Sequence, residues 1–172
     1  LVGQELEFVL HQLQKETLDP RYRYEPKRAK KRIQFIERFC KHTKSPFHGK
    51  PFKLELWEKA FIEVIYSFIR VSTNKRRFKR VILLISRKNG KSTLTAALAF
   101  TELMMGSGGS DIVCSSNDDA QASIIFLEIG AMREMFDPYN KRTHKNLRWI
   151  LNKKNKSKVF KLSEKTHNKE GY

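Results

Sequence analysis

Apolar residues at Val2, Leu6, Val9, Leu10 and Leu13 keep the spacing of one helix face, and Asp19-Pro20 ends that helix. Pro26 suits the first turn of a second helix. Its apolar stripe is Ile33, Ile36, Phe39 and Cys40, and its other side is basic. Ser45 to Lys53 holds two prolines and a glycine and reads as a loop. Trp57, Ala60, Phe61, Val64, Ile65 and Phe68 then predict a helix with that face in the core. A polar, basic connector runs from Ser72 to Arg80. The aliphatic run Val81-Ile82-Leu83-Leu84-Ile85 follows it and predicts a strand buried on both faces, as in a parallel sheet. Ser86 to Lys91 is a loop, and Ser92 to Met105 forms helix, with Ala96, Ala97 and Ala99 favouring close packing. Gly106 is placed to end it in the left-handed conformation. Asp111-Ile112-Val113-Cys114 reads as a second buried strand, with Asn117 or Asp118 capping the next helix. That helix carries Ile124, Ile125, Leu127, Ile129, Met132 and Met135 to about Phe136. Strand–loop–helix–strand–helix is the order of an α/β fold.

The tail has a different character. Lys141 to Tyr172 holds eleven Lys or Arg and two Glu. Trp149-Ile150-Leu151 and Val159-Phe160 flank Asn152-Lys153-Lys154-Asn155-Lys156, which suggests two short strands and a polar turn; a basic tail without fixed structure is the rival reading.

The 172 residues suffice for one domain with a core, and 40% are hydrophobic. Thirty-five Lys and Arg against 18 acids give a net charge of +17. Such a chain attracts polyanions, nucleic acid first among them, unless the charge only solubilises the surface. Cys40 and Cys114 form no C-x-x-C pair and the histidines lack ligand spacing, so a structural zinc is not expected. Free thiols fit a reducing cytoplasm. The longest aliphatic run, residues 81–85, is far short of the about 20 residues that a membrane span needs. There is no signal-peptide pattern, and the first residue is Leu1, so the chain is expected to be part of something longer.

The candidate chemistry lies in Ser86-Arg87-Lys88-Asn89-Gly90-Lys91-Ser92-Thr93, between the expected strand and helix. That is the setting of a phosphate-binding loop. Backbone N–H groups would surround the β-phosphate, Lys91 would reach the β- and γ-phosphates, and the Ser92 hydroxyl would bind Mg²⁺. The bare alternative is a basic turn that caps a helix. The usual first glycine, five residues before Gly90, is replaced by Ile85.

The stretch S-R-K-N-G-K-S resembles the deviant Walker A loop of the large terminase subunits of tailed double-stranded-DNA phages. Phe47 to Trp57 resembles that family's segment ending in L-x-P-W-Q, which is associated with adenine. Asp111 to Ala122, with Gln121-Ala122, resembles its next strand and helix start, and Leu162-Ser163 and Gly171 resemble the approach to its Walker B strand. The resemblance runs from about residue 26 to the end. It implies an incomplete P-loop NTPase, three-layered with a mostly parallel sheet, over residues 26–172, preceded by an N-terminal helix and basic linker over 1–25. It further implies ATP and Mg²⁺ as cofactors, and Trp57 and Glu58 near the base. Arg87 would be an arginine finger within the same subunit, or else a surface arginine. Glu58 stands where the family usually has Gln, and a carboxylate donates no hydrogen bond.

By the same resemblance the chain would serve a motor that drives double-stranded DNA into a procapsid in the host bacterial cytoplasm. Its partners would be a small terminase subunit and a portal ring, with the motor itself a possible ring. No hydrophobic run followed by Asp-Glu occurs in the sequence. The Walker B acids and an endonuclease domain are therefore expected downstream, and this stretch alone is expected to be inactive. Two other readings stay open: a helicase-like DNA-dependent ATPase, and a basic nucleic-acid-binding module without enzymatic activity.

Overall fold

The computed structural model describes residues 11–13, 15, 17–86, 88–116 and 119–162. The chain divides into two compact units, one of Leu1–Ile33 with Glu55–Leu84 and one of Gln34–Leu54 with Ile85–Tyr172.

The first unit holds helical residues at 11–13, 15, 17 and 18, and the chain turns at Asp19 and Pro20 as expected. Val2 to Leu10 lie outside the described residues. Three short strands follow that the sequence reading missed. They are β1 (Tyr22–Tyr24), β2 (Phe68–Arg70) and β3 (Lys75–Arg76), antiparallel in the order β1-β2-β3. With two or three residues each they leave no alternating pattern to read. The Tyr24 and Phe68 rings meet at 5.2 Å. Pro26 opens α1 (Pro26–Phe39), and residues from Gln34 onward belong to the second unit.

Helix α2 (Leu56–Ser67) buries the expected face in part: Ile65 is buried, as is Phe68 just beyond the helix, while Trp57 and Ala60 are exposed. Its buried residues are Glu58, Ile62, Ile65, Tyr66 and Ser67, while Trp57 is 41% exposed. Both sides of this helix are apolar, so periodicity alone does not choose between them. The expected face still has a use: Ala60, Val64 and Phe68 line a cavity of about 300 Å³ with Leu13, Thr17, Tyr24 and Glu63.

The second unit contains α3 (Lys91–Met105), β4 (Asp111–Ser115), α4 (Asp119–Phe136), β5 (Thr143–Lys145), β6 (Trp149–Asn152) and β7 (Lys158–Leu162). The sheet order is β4-β7-β6-β5. Only β4 and β7 run parallel, with Ile112 opposite Val159; β7–β6 and β6–β5 are antiparallel. The mostly parallel sheet expected from sequence is thus present as one parallel pair among the described residues. The two tail strands do form a hairpin, which orders residues 149–162, and β5 extends it. Helices α3 and α4 pack on each other and on this sheet. Leu94, Ala97, Phe100, Leu103, Ile129, Met132, Ile150 and Val159 are fully buried there. Phe100 meets Phe35 and Phe136 at ring distances of 5.9 and 5.5 Å.

Three expectations are corrected here. Residues 81–85 form no strand, and Ile82 and Leu84 are more than four-fifths exposed. A buried parallel strand needs a hydrogen-bonding neighbour, and no described strand pairs with this run. Strand β4 is buried only in part, with Val113 45% exposed. Gly106 ends α3 without a left-handed turn (φ −68°, ψ 178°), and its N–H donates to the Glu102 carbonyl at 2.8 Å. Glycine is needed there for space, because a Cβ would lie 2.4 Å from that carbonyl oxygen. The proposed cap residues Asn117 and Asp118 lie outside the described residues, as do Ser163 and Gly171.

Candidate phosphate-binding site

The loop before α3 turns through two left-handed residues, Lys88 (φ 69°) and Gly90 (φ 71°), on either side of Asn89. For Lys88 this conformation is strained by roughly 1–2 kcal/mol, and such strain concentrates at functional sites. Gly90 adopts it freely and occupies the N-cap position of α3, with no side-chain cap. The loop is braced from within: the Asn89 amide donates to the Ser86 hydroxyl at 2.5 Å. Helical bonding starts only with Leu94 N–H to the Gly90 carbonyl at 2.9 Å. The N–H groups of Lys91, Ser92 and Thr93 therefore have no acceptor within the helix. They sit at the positive end of a 15-residue helix, beside the exposed Lys91 side chain and the half-buried Ser92 hydroxyl. This donor set suits a phosphate group, and a Cβ built on Gly90 would meet nothing within 4 Å.

Of the residues predicted for this site, Ser86 and Lys88 to Thr93 are brought together in one loop and helix start; Arg87 lies outside the described residues. Trp57 and Glu58 belong to the other unit. There the Glu58 carboxylate, 4% exposed, accepts the Glu55 N–H at 2.8 Å and so caps α2. Burial raises its pKa, against the lowering effect of that hydrogen bond.

Sequence reasoning missed one acid beside the loop helix. Glu128 on α4 is 4% exposed. It receives the Thr43 hydroxyl, lies 3.2 Å from the Lys44 ammonium, and receives the Thr93 hydroxyl at a long 3.4 Å. The available signal was its setting, a carboxylate within the apolar run from Ile124 to Ile129. Among the described residues no group of three or more His, Cys, Asp or Glu is arranged to hold a metal.

A family model described as "Terminase large subunit, ATPase domain" matches residues 56–170. The large terminase subunit of enterobacteria phage HK97 is 33% identical over 101 residues, which are 58% of this chain and 19% of that protein. The crystal structure of the HK97 large terminase superposes with a TM-score of 0.65 at 27% identity, covering 79% of this chain and 27% of the other. The chain thus spans about a fifth to a quarter of these relatives. The family-model match over residues 56–170, together with the structural likeness, places this chain in the family of terminase large subunit ATPase domains.

Proposed function

We propose that this chain binds ATP at residues 86–93 and is the nucleotide-binding part of a motor that packages double-stranded DNA. The observation that carries the reading is the turn from Lys88 to Gly90, which sets the N–H groups of Lys91, Ser92 and Thr93 at the start of α3, where the helix itself supplies them no acceptor. Anion binding is the use of such a helix end. In this reading Lys91 holds the β- and γ-phosphates and Ser92 contacts the metal, which neutralises charge on the phosphoryl oxygens. Arg87 stabilises charge on the γ-phosphoryl from the same subunit, a contribution of about 10³–10⁵ in rate where such a group acts. The downstream acids, the endonuclease, the small terminase subunit, the portal ring, a ring of motor subunits and the bacterial cytoplasm belong to this proposal through the family. The family match does not favour the helicase-like and non-enzymatic readings.

Lys91→Ala in the intact protein tests the reading. ATP hydrolysis should fall by more than about 10²-fold, while DNA binding at low salt persists. Hydrolysis and nucleotide affinity that survive the substitution would remove the loop from the mechanism.

A further inference from the structure

At the other end of α3, Met104 forms part of a cleft of about 670 Å³. Phe35, Phe39 and Phe136 line it as well. The three rings pack on one another at 5.1–6.0 Å and are half-buried, so they form a rigid apolar floor. Lys141, Arg142, Lys153 and Lys154 complete the lining, all four exposed. Among the described residues no carboxylate lines the cleft. The 15-residue α3 puts this cleft about 20 Å from the phosphate loop, so the two are separate sites.

The turns that carry these cations are held in place by buried side chains that bind backbone. The Asp137 carboxylate, 5% exposed, accepts the N–H groups of Lys141 and Arg142 at 2.9 Å and of Thr143 at 2.7 Å, and the Thr143 hydroxyl at 2.7 Å. Asn152, 3% exposed, accepts the Lys154 N–H at 2.9 Å and donates to the Leu103 carbonyl at 3.0 Å. The Lys153 N–H reaches the Arg142 carbonyl at 2.9 Å and links the two turns. The Arg142 guanidinium lies 5.4 Å from the centre of the Phe136 ring.

Four like charges line one mouth, and among the described residues no acid of the lining neutralises them. Two buried polar side chains nonetheless fix the turns that carry them. We infer that this cleft binds the phosphodiester backbone of nucleic acid, with phosphates on the four cations and a sugar or base edge on the phenylalanine floor. A positive groove with an aromatic surface is the arrangement that nucleic-acid strands bind without sequence preference. The volume fits a nucleotide unit. An acidic protein surface would match the charge and leave the aromatic floor unused.

The inference does not rest on the phosphate-loop reading, and its test involves no ATP hydrolysis. Fluorescence anisotropy of a labelled single-stranded and a labelled duplex DNA would be measured with the intact chain. A first variant carries Lys141→Gln, Arg142→Gln, Lys153→Gln and Lys154→Gln. A second loses the same charge at the exposed Lys27, Lys30, Lys31 and Lys53, also to Gln. The cleft variant should bind at least one DNA form more than about ten-fold more weakly and lose about 3–4 from the log–log salt slope, with an unchanged melting temperature. The second variant should lose less than about three-fold. Equal losses in both variants, or none in the first, would overturn the assignment. So would displacement of the DNA by equimolar ATP in a Lys91→Ala background, or by polyglutamate as well as by unlabelled DNA.

Discussion

Glu128 on α4 receives the Thr93 hydroxyl at 3.4 Å, and so ties the second helix of the unit to the first turn of the helix that follows the phosphate loop. The same carboxylate holds Thr43 and Lys44, so one buried acid gathers three segments distant in sequence. Its substitution should register in stability first and in nucleotide affinity second. Glu128→Ala leaves two hydroxyls without their acceptor and should cost about 2–3 kcal/mol in denaturant unfolding. Glu128→Gln keeps an acceptor of the same shape and gives up only the pairing with Lys44, whose side chain is 70% exposed; it should cost about 1 kcal/mol or less. If the Gln variant lost as much as the Ala variant, charge rather than hydrogen bonding would be the basis of the contact.

Asp137 gives a stability that depends on pH. Burial by itself would raise its pKa, but the bonds from Thr143, Arg142 and Lys141 outweigh burial and hold the carboxyl below its ordinary 3.8. A lowered pKa means that the folded state binds the proton less readily than the unfolded state. The stabilisation is therefore complete above 3.8 and disappears as pH falls through the lower folded value. Asp137→Asn should cost about 3 kcal/mol at neutral pH, since it also leaves the buried Arg133 without its acid partner at 3.9 Å. The variant should show a flatter loss of stability in acid than the parent; parallel acid-unfolding curves would refute this role.

Two glycines should respond differently to alanine. At Gly90 the added Cβ meets open space, and only the left-handed φ resists it, so Gly90→Ala should cost about 1–2 kcal/mol. At Gly106 the backbone is ordinary but the Cβ would strike the Glu102 carbonyl, and the end of α3 must move. Gly106→Ala should cost more, about 2–4 kcal/mol, without changing nucleotide affinity. Thermal unfolding of the pair, with ATP titration of each, checks the order. A Gly90→Ala chain that melted below Gly106→Ala would reverse it.

The elements that the sequence revealed were those with period and punctuation. Pro26 marked the start of α1, the alanines marked α3, and Trp149-Ile150-Leu151 with Val159-Phe160 marked the hairpin. Strands β1, β2, β3 and β5 were too short to carry a period. The run at residues 81–85 has the composition of a buried strand, but a strand exists only where something pairs with it, and composition does not encode the partner. At the loop, Gly90, Lys91 and Ser92 were legible because phosphate binding demands those residue types at that spacing. Glu128 was not, because its worth comes from Thr43 and Lys44, some 85 residues earlier in the chain. Asp137 and Asn152 escaped for another reason: most of their partners are backbone groups, which leave no mark in the sequence.

Glu58 separates a capping role from a base-contacting one. Its pKa is raised by burial above the ordinary 4.5, so the folded state binds the proton more readily than the unfolded state. The contribution of Glu58 to stability is thus greatest in acid and falls as pH rises through the interval from 4.5 to the folded value, the opposite trend to Asp137. Glu58→Gln removes the buried charge and keeps a carbonyl oxygen to accept the Glu55 N–H. It should leave α2 as stable at neutral pH as the parent, or up to about 1 kcal/mol more stable, and should abolish this pH trend. Glu58→Ala, which removes the acceptor, should cost about 1 kcal/mol. Affinity for ATP relative to GTP then decides the second role. A glutamine that only caps the helix leaves the ratio unchanged, whereas one that meets adenine supplies a donor absent from the carboxylate and raises the preference for ATP.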